Sequence, residues 1–569
     1  MELAVEVRVD RLAFLRPSQG QDDHRLKKIY FFARMTMRTG LKKQLSRAAL
    51  ATSLVGMLGL MISTSSYAET LNVAMQSGLR ILDPVVTSSY LTRDHGYMIY
   101  DTLLATDSDF KVRPQMADWH VAEDGLTHTF KLRPNLKWHD GLPVRAEDCL
   151  ASLKRWLDKD PNGEILKPMI VAMEVIDDTT FTIKLNEKTT FLLESLGKVS
   201  ALPAFMMPKR IAETPASEQI KEYIGSGPFK FVTSEFKPGL RAVYEKNKDY
   251  VPRDEPPSWT AGGKVVKVDR VQWIGMPDQM TPINALLNNE IDYIQQVPFD
   301  LLPMLEGKDG KDGVKVDVID SLGSWAYYRF NHLQPPFNNK EVRQAAMYAV
   351  GQEDVLKALV GNPKYYRQCV AVFGCRGIYE NNYGKEMLIP ANPERAQEIL
   401  KSAGYDGSPV VVLQPTDMAL ASPSSVVIAS ALRKAGFKVD LRAMDWQTLI
   451  TQRANQKPVA EGGWSIFTSY NATVGTFTPM SSVIVSTGKK AFPGWPDVPE
   501  VEVLRLQYVK TDDAAERKTI ADKLQTLVID NGVVVPLGEI FIPSAYSTKL
   551  TGIVKSPVTV FWNIAKAGK

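Results

Sequence analysis

Hydrophobic residues change their period within residues 123–156, and this change predicts a strand followed by a helix. Between Leu126 and Leu132, threonines and a lysine occupy alternate positions, as in a half-buried strand. An Asp-Gly pair and a proline then mark a turn. From Ala146 to Trp156, apolar residues recur three or four positions apart, so they form one face of a helix.

The second half of the chain repeats the alternation of strands and helices. A helix is expected at 393–403, with Asn392 as its cap and Gly404 after its end. A buried strand at 410–413, a further helix and a strand at 437–444 follow. This spacing predicts two parallel strands joined by a right-handed crossover. The chain is therefore expected to have an α/β fold.

The stretch 123–156 contains Asp124-Gly125, Thr129-Phe130, Leu132-Arg133 and Trp138-His139-Asp140-Gly141. With these motifs it resembles a signature of the extracytoplasmic solute-binding proteins of ABC importers, in the peptide/nickel-type family that includes dipeptide- and oligopeptide-binding proteins. Two departures are Arg145, where threonine is usual, and Cys149, where valine is usual. His139 and Asp140 within it are expected to bond backbone in a turn rather than to catalyse. Further matching motifs lie outside this stretch, at Gly225-Ser226-Gly227-Pro228-Phe229, Asn289-Glu290-Ile291-Asp292 and Val342-Arg343-Gln344-Ala345.

This resemblance implies a two-lobed periplasmic-binding-protein clam-shell with an inserted extra subdomain in the first lobe. Two crossings, near 321–331 and 533–545, would join the lobes, and hinge closure would enclose a ligand between them. The expected divisions are a signal segment at 1–68, lobe I at 69–106, 228–321 and 539–569, the inserted subdomain at 107–227, and lobe II at 322–538.

Composition and charge give no reason to expect a nucleic-acid partner. The chain has 569 residues, enough for two or more domains, and its 44% apolar and 23% charged residues are ordinary for a globular protein. The formal charge is +4. Residues 1–68 contain 11 of the 68 basic and 5 of the 64 acidic residues, so the positive excess belongs to that segment.

The segment 1–68 contains the features of a secretory signal peptide. An apolar run at 48–62 follows a basic start, and Ser66-Tyr67-Ala68 offers small residues for cleavage. The run is short for a membrane span, and no cysteine follows it to carry a lipid anchor. We expect synthesis from Met35 or Met37 and release into the periplasm; a translated extension at 1–34 is the alternative.

The three cysteines predict one disulfide. Cys369 and Cys375 are separated by five residues in a loop-like stretch, and an oxidising compartment favours their pairing. Cys149 lies on the apolar face of its helix and is expected to be a buried free thiol. The chain has only six histidines, so neither a metal site nor another cofactor is expected.

A strand beginning at Gly463-Trp464 resembles a recurring pocket element of the family. Trp464 is therefore expected to pack against a ligand, with core burial as the alternative. Phe467 and Tyr470, later in the same strand, are weaker candidates.

Dipeptide-binding members of the family place an acid just beyond this element and an arginine after the strand that corresponds to 410–413. This chain has neither. Asp417 instead stands at the C-terminal edge of a parallel strand, where α/β proteins bind ligands. It is expected to hold an amine or another cation, with a role as a helix cap as the alternative.

The sequence thus favours a monomeric periplasmic receptor for a small organic solute, peptide or peptide-like, which it delivers to ABC permease subunits. An amine-bearing solute is one such candidate. A periplasmic hydrolase is disfavoured, because no G-x-S-x-G, H-E-x-x-H or Cys/His arrangement occurs, and no enzymatic activity is expected. A carrier of a metal chelate or haem is the third hypothesis; scarce histidine argues against direct nickel ligation but not against a chelate.

Overall fold

A computed structural model describes residues 69–310 and 313–567, which fold around three main β-sheets. The predicted signal segment at 1–68 lies outside the described residues. Within the described ranges, no helix has both the length and the apolar character that crossing a bilayer would require.

The first lobe is built on a mixed seven-stranded sheet. Its strand β1 (Thr70–Ala74) pairs in parallel with β10 (Arg270–Ile274) and β11 (Tyr293–Ile294). Because its strands come from residues 70 to 547, separate chain segments build this lobe. The other strands are β8 (Phe229–Phe231), β9 (Arg241–Lys246), β12 (Val314–Asp317) and β19 (Ser544–Ser547).

A four-stranded antiparallel sheet forms the inserted subdomain. Its strand β5 (Thr127–Leu132) and the helix α2 (Ala146–Leu157) confirm the strand and helix predicted within 123–156. The backbone N–H of Arg145 donates to the Asp148 carboxylate at 2.9 Å, so an acid of the first turn binds the chain before the helix. The other strands are β4 (Ala117–Val121), β6 (Ile170–Val175) and β7 (Thr180–Leu185).

His139 and Asp140 bond backbone groups in the turn, as expected. His139 Nδ1 accepts the Gly225 N–H at 3.3 Å, and its Nε2 lies 3.1 Å from the Gly227 carbonyl oxygen. Burial lowers the pKa of His139 to about 4, so the ring is neutral at pH 7. Asp140 accepts the N–H of Leu142 at 3.1 Å. A Cβ on Gly225 would lie 1.8 Å from the Ile99 carbonyl oxygen, which explains the glycine.

The second lobe contains a six-stranded sheet. Strands β15 (Val410–Pro415) and β16 (Val439–Met444) are parallel with α12 (Ser422–Lys434) between them, which confirms the predicted unit. Next to β15 lies β17 (Ile466–Ala472), which is antiparallel to β13 (Ser324–Phe330). The remaining strands are β14 (Tyr366–Arg367) and β18 (Val535–Ile540).

Two crossings connect the lobes. The chain leaves the first sheet after β12 and enters the second at β13, so the first crossing is 318–323. It returns between β18 and β19, through 541–543. The two-lobed clam-shell with an inserted subdomain is therefore the observed fold.

The other elements surround these sheets. Asn392 accepts the Arg395 N–H at 2.9 Å and caps α11 (Pro393–Ser402), as predicted. Two small hairpins are β2 (Leu104–Thr106) with β3 (Val112–Pro114), and β20 (Leu550–Thr551) with β21 (Ala565–Lys566). The remaining helices are α1 (Tyr90–Ile99), α3 (Pro161–Leu166), α4 (Phe191–Gly197), α5 (Lys209–Ala212), α6 (Met280–Leu287), α7 (Pro303–Glu306), α8 (Lys340–Ala349), α9 (Gln352–Leu359), α10 (Lys385–Leu388), α13 (Trp446–Arg453), α14 (Pro499–Lys510) and α15 (Ala514–Asn531).

Candidate functional site

Two cavities lie between the lobes. The first, here called the polar cavity, has a volume of about 110 Å³ and is lined by α1, both crossings and β17. The second, the aromatic cavity, has about 180 Å³ and is lined by the inserted subdomain and by α14 and α15 of lobe II. Each is smaller than the roughly 300–1,000 Å³ of a drug-sized ligand site. The lobes in this conformation therefore enclose space for a small solute.

The positive charge of the polar cavity is already neutralised. Arg93 Nη2 lies 2.8 Å from the carboxylate of Asp94, and both side chains are buried. The same guanidinium donates to the carbonyl oxygens of Val199 and Pro557, and it lies 4.7 Å from the ring centroid of Tyr90. Arg93 is thus held by several partners and has little freedom to bind a ligand anion.

Asp320 lines the polar cavity from the first crossing. Its carboxylate accepts the Leu322 N–H at 2.9 Å. Burial raises the pKa of Asp320 to about 6, against the lowering effects of hydrogen bonds from the Leu322 and Gly323 backbone and of the Arg93 charge. Within the described ranges it has no ion-pair partner. Sequence reasoning missed this residue, because it belongs to no motif; its position next to a predicted crossing was the available signal.

Aromatic side chains from both lobes meet at the aromatic cavity. The Phe110 ring packs edge-on against Trp259 and against Phe477 of lobe II, with centroids 5.1 and 4.9 Å apart. Phe110 and Trp259 both adopt positive φ angles, 61° and 51°, which are uncommon for bulky residues. Tyr379 and Tyr508 add a hydroxyl pair 3.0 Å apart. This cavity suits an apolar or aromatic group with a polar edge.

The charged residues around the aromatic cavity form ion pairs. Lys198 is paired with the buried Asp160, and Arg517 of lobe II is paired with Glu194 of the inserted subdomain. The Nη2 atom of Arg517 is nevertheless buried without a hydrogen-bond partner among the described atoms.

A narrow contact between the lobes adjoins both cavities. Tyr90 lines the polar cavity and Ser200 the aromatic one, and both approach Gly475 of lobe II. A Cβ on Gly475 would lie 3.7 Å from the Tyr90 hydroxyl and 3.9 Å from Ser200 Cβ. A small residue at 475 therefore suits the close approach of the lobes.

The structure places Trp464 in the hydrophobic core rather than on a cavity, which corrects its expected position. Its side chain is 0% exposed, its Nε1 donates to the Asn455 carbonyl at 3.0 Å, and its ring packs on Trp495. Phe467 is likewise 0% exposed. Tyr470, by contrast, lines the polar cavity. Trp464 and Tyr470 differ in position because six residues of a strand span about 20 Å. Only the C-terminal end of β17, which contains Tyr470, reaches the cleft between the lobes.

Asp417 is exposed and lies away from both cavities. Its Oδ1 accepts the N–H of Trp446, the first residue of α13, at 2.8 Å. Asp417 therefore binds the N-terminus of α13, which follows β16, and does not cap the next helix in the chain, α12, as the alternative expected. Its predicted position in the crevice is corrected.

The cysteines adopt the arrangement predicted for them. Cys369 and Cys375 form a disulfide, and Cys149 is free and buried. Glu539 of β18 lies beside the disulfide and accepts the Cys375 N–H at 2.8 Å and the Arg367 Nε–H at 2.7 Å. Burial raises the pKa of Glu539 to about 7, although the Arg367 charge lowers it. Cys369, Cys375 and Glu539 lie close enough together to suggest a metal site. Because the disulfide bonds both sulfurs to each other, neither is free to bind a metal ion.

Comparison with known proteins gives concordant matches. Residues 111–519 match the bacterial extracellular solute-binding proteins, family 5 Middle. The probable peptide ABC transporter periplasmic-binding protein of Sinorhizobium fredii is 39% identical, over 88% of this chain and 94% of its own length. The glutathione-binding protein GsiB of Pectobacterium atrosepticum is 28% identical, over 86% and 92%. The ABC transporter substrate-binding protein CtaP of Listeria monocytogenes shares the fold, with a TM-score of 0.73 and 22% identity, over 88% of this chain and 100% of CtaP.

Proposed function

Because this chain belongs to the bacterial extracellular solute-binding proteins of family 5, we propose that it binds a small peptide or peptide-like solute in the periplasm and delivers it to the permease subunits of an ABC importer. The chain is a solute-binding receptor rather than an enzyme. The observation that carries the proposal is the pair of cavities lined from both lobes. The peptide character is supported by the Sinorhizobium relative.

The test is to purify the chain from residue 69 and to release its bound solute by denaturation. Mass spectrometry of the released material should find a small peptide or peptide-like compound. The refolded protein should bind that compound again in calorimetry and become more compact in small-angle X-ray scattering. A protein that neither carries nor rebinds a solute would contradict the receptor function.

A variant can test whether the lobes close on the ligand. At Gly475 a Cβ would already be in van der Waals contact with Tyr90 and Ser200, so the larger ring of Gly475→Trp should hold the lobes apart; the variant should lose binding and keep its fold. Gly307→Trp is the matched control, because Gly307 is exposed and a Cβ there would meet Pro303 alone, at 3.7 Å. Unchanged binding by Gly475→Trp would show that ligand capture does not need this closure.

Export and chain organisation are parts of the same proposal. We infer cleavage before Glu69, no lipid anchor and a monomer in the periplasm, with the divisions 69–106, 107–227, 228–321, 322–538 and 539–569. The basic start and apolar run before Ser66-Tyr67-Ala68 support the cleavage. N-terminal sequencing of exported protein tests it, and any residue before Met35 in that material would contradict it. Light scattering after gel filtration tests the monomer.

A further inference from the structure

The charges around the two cavities leave one acid without a partner. Three ion pairs each contribute no net charge, and Asp320 contributes one negative charge at neutral pH. No described lysine or arginine pairs with it, and its hydrogen bonds come from backbone. The three pairs are Arg93–Asp94, Lys198–Asp160 and Arg517–Glu194.

A half-buried carboxylate without a counter-ion is unfavourable when the lobes close over it. Either it takes up a proton or the ligand supplies a positive charge. The pKa of Asp320, raised to about 6 by burial, keeps it mostly ionised at pH 7. A ligand ammonium would therefore complete the site, and the rings of Tyr90 and Tyr470 beside it would add cation–π attraction.

A ligand carboxylate has no comparable partner. Arg93 is surrounded by Asp94, two backbone carbonyl groups and Tyr90. Lys198 is held by the fully buried Asp160. Binding a carboxylate at either cation would leave a buried acid unpaired, which is strongly unfavourable.

Arg517, in the aromatic cavity, is no better placed to bind a carboxylate. Its charge is balanced by Glu194, and its side chain is 7% exposed. The neighbouring aromatic side chains favour an apolar group there.

We propose that the solute is a monocation whose ammonium group binds Asp320 in the polar cavity, without a free carboxylate in the cleft. This inference rests on the proposed receptor function and specifies its ligand class. It separates a capped or amidated peptide-like amine from an ordinary zwitterionic peptide.

Four forms of one dipeptide test the proposal. They are alanyl-phenylalanine amide (net charge +1), free alanyl-phenylalanine (zwitterion), the N-acetyl amide (neutral) and the N-acetyl acid (anion). Calorimetry at pH 7 on ligand-free refolded protein should show the amide binding at least tenfold more tightly than each of the others. Tighter binding of the free acid than of the amide would overturn the proposal.

Two variants assign the effect to one carboxylate. Asp320→Asn keeps the size of the side chain and an oxygen for the Leu322 N–H, and it should remove the preference for the amine over its N-acetyl form. Asp417→Asn is the matched control, because Asp417 is exposed and outside both cavities, so the preference should persist. Retention of the preference in Asp320→Asn would also overturn the proposal.

The charge of the solute released from native protein tests this inference separately from the proposed receptor function. A released solute with net charge zero or below at pH 7 would overturn the charge assignment and leave the receptor function intact. If no solute is released and none of the four compounds binds, the receptor function fails and this inference fails with it.

Discussion

Lowering the pH from 7 to 5 should weaken the binding of alanyl-phenylalanine amide by about tenfold. The perturbed group is Asp320, whose carboxylate becomes protonated over this interval because burial raises its pKa to about 6. The amine of the ligand keeps its charge throughout, so the change comes from the protein. The binding free energy should therefore become less favourable as the pH falls.

The magnitude follows from the fraction of Asp320 that is ionised in the free protein. A pKa of about 6 gives roughly nine-tenths ionised at pH 7 and one-tenth at pH 5, which corresponds to about 1.4 kcal/mol. The neighbouring groups do not mimic this effect. Tyr90, Tyr470 and Arg93 have raised pKa values and do not titrate here, and burial holds His95 neutral by lowering its pKa to about 3. Burial also raises the pKa of Asp94, so a variant is needed to isolate Asp320.

The assay is calorimetric titration of the amide at several pH values between 5 and 7.5, for native protein and for Asp320→Asn. The native affinity should fall with pH, and that of the variant should stay flat. An equal slope in both proteins would assign the titration to Asp94 or another group and refute the reasoning. A flat native profile would show that Asp320 does not hold the ligand charge.

Three further predictions concern stability and covalent structure. Asp320→Asn should stabilise the ligand-free protein by about 3 kcal/mol at pH 7, since an acid with a raised pKa destabilises the fold when ionised. The gain should vanish below about pH 4, as urea unfolding at both pH values would show. Trp464→Ala should lower the unfolding free energy by about 3–5 kcal/mol because the indole is fully buried. Normal stability together with weakened ligand binding would instead show that Trp464 contacts the ligand. Thiol labelling of unreduced, denatured protein should find one free cysteine, and three free thiols would contradict the disulfide. Replacing both Cys369 and Cys375 should lower the free energy of unfolding by about 2 kcal/mol, as the loop-entropy account of disulfide stabilisation predicts.

The sequence by itself determined the local elements and the family. The strand at 127–132, the helix that follows it and the parallel pair in the second lobe were all readable from periods of two and of three to four residues. Such periods and the helix cap at Asn392 depend on residues a few positions apart, so no tertiary information is needed.

The ligand site, in contrast, was decided by tertiary structure. Trp464 and Tyr470 belong to one strand segment, yet one is core and the other lines a cavity, because only the position of β17 within the molecule fixes which end reaches the cleft. Whether a charged side chain is available to bind a ligand depends on partners distant in sequence. Gln295, for example, donates to Asp94 across 201 residues, and Arg517 pairs with Glu194 of the other lobe. Asp320 became a candidate because the other charged residues of the cavities form ion pairs, two of which join residues far apart in sequence. Such long-range pairing leaves no local pattern in the sequence.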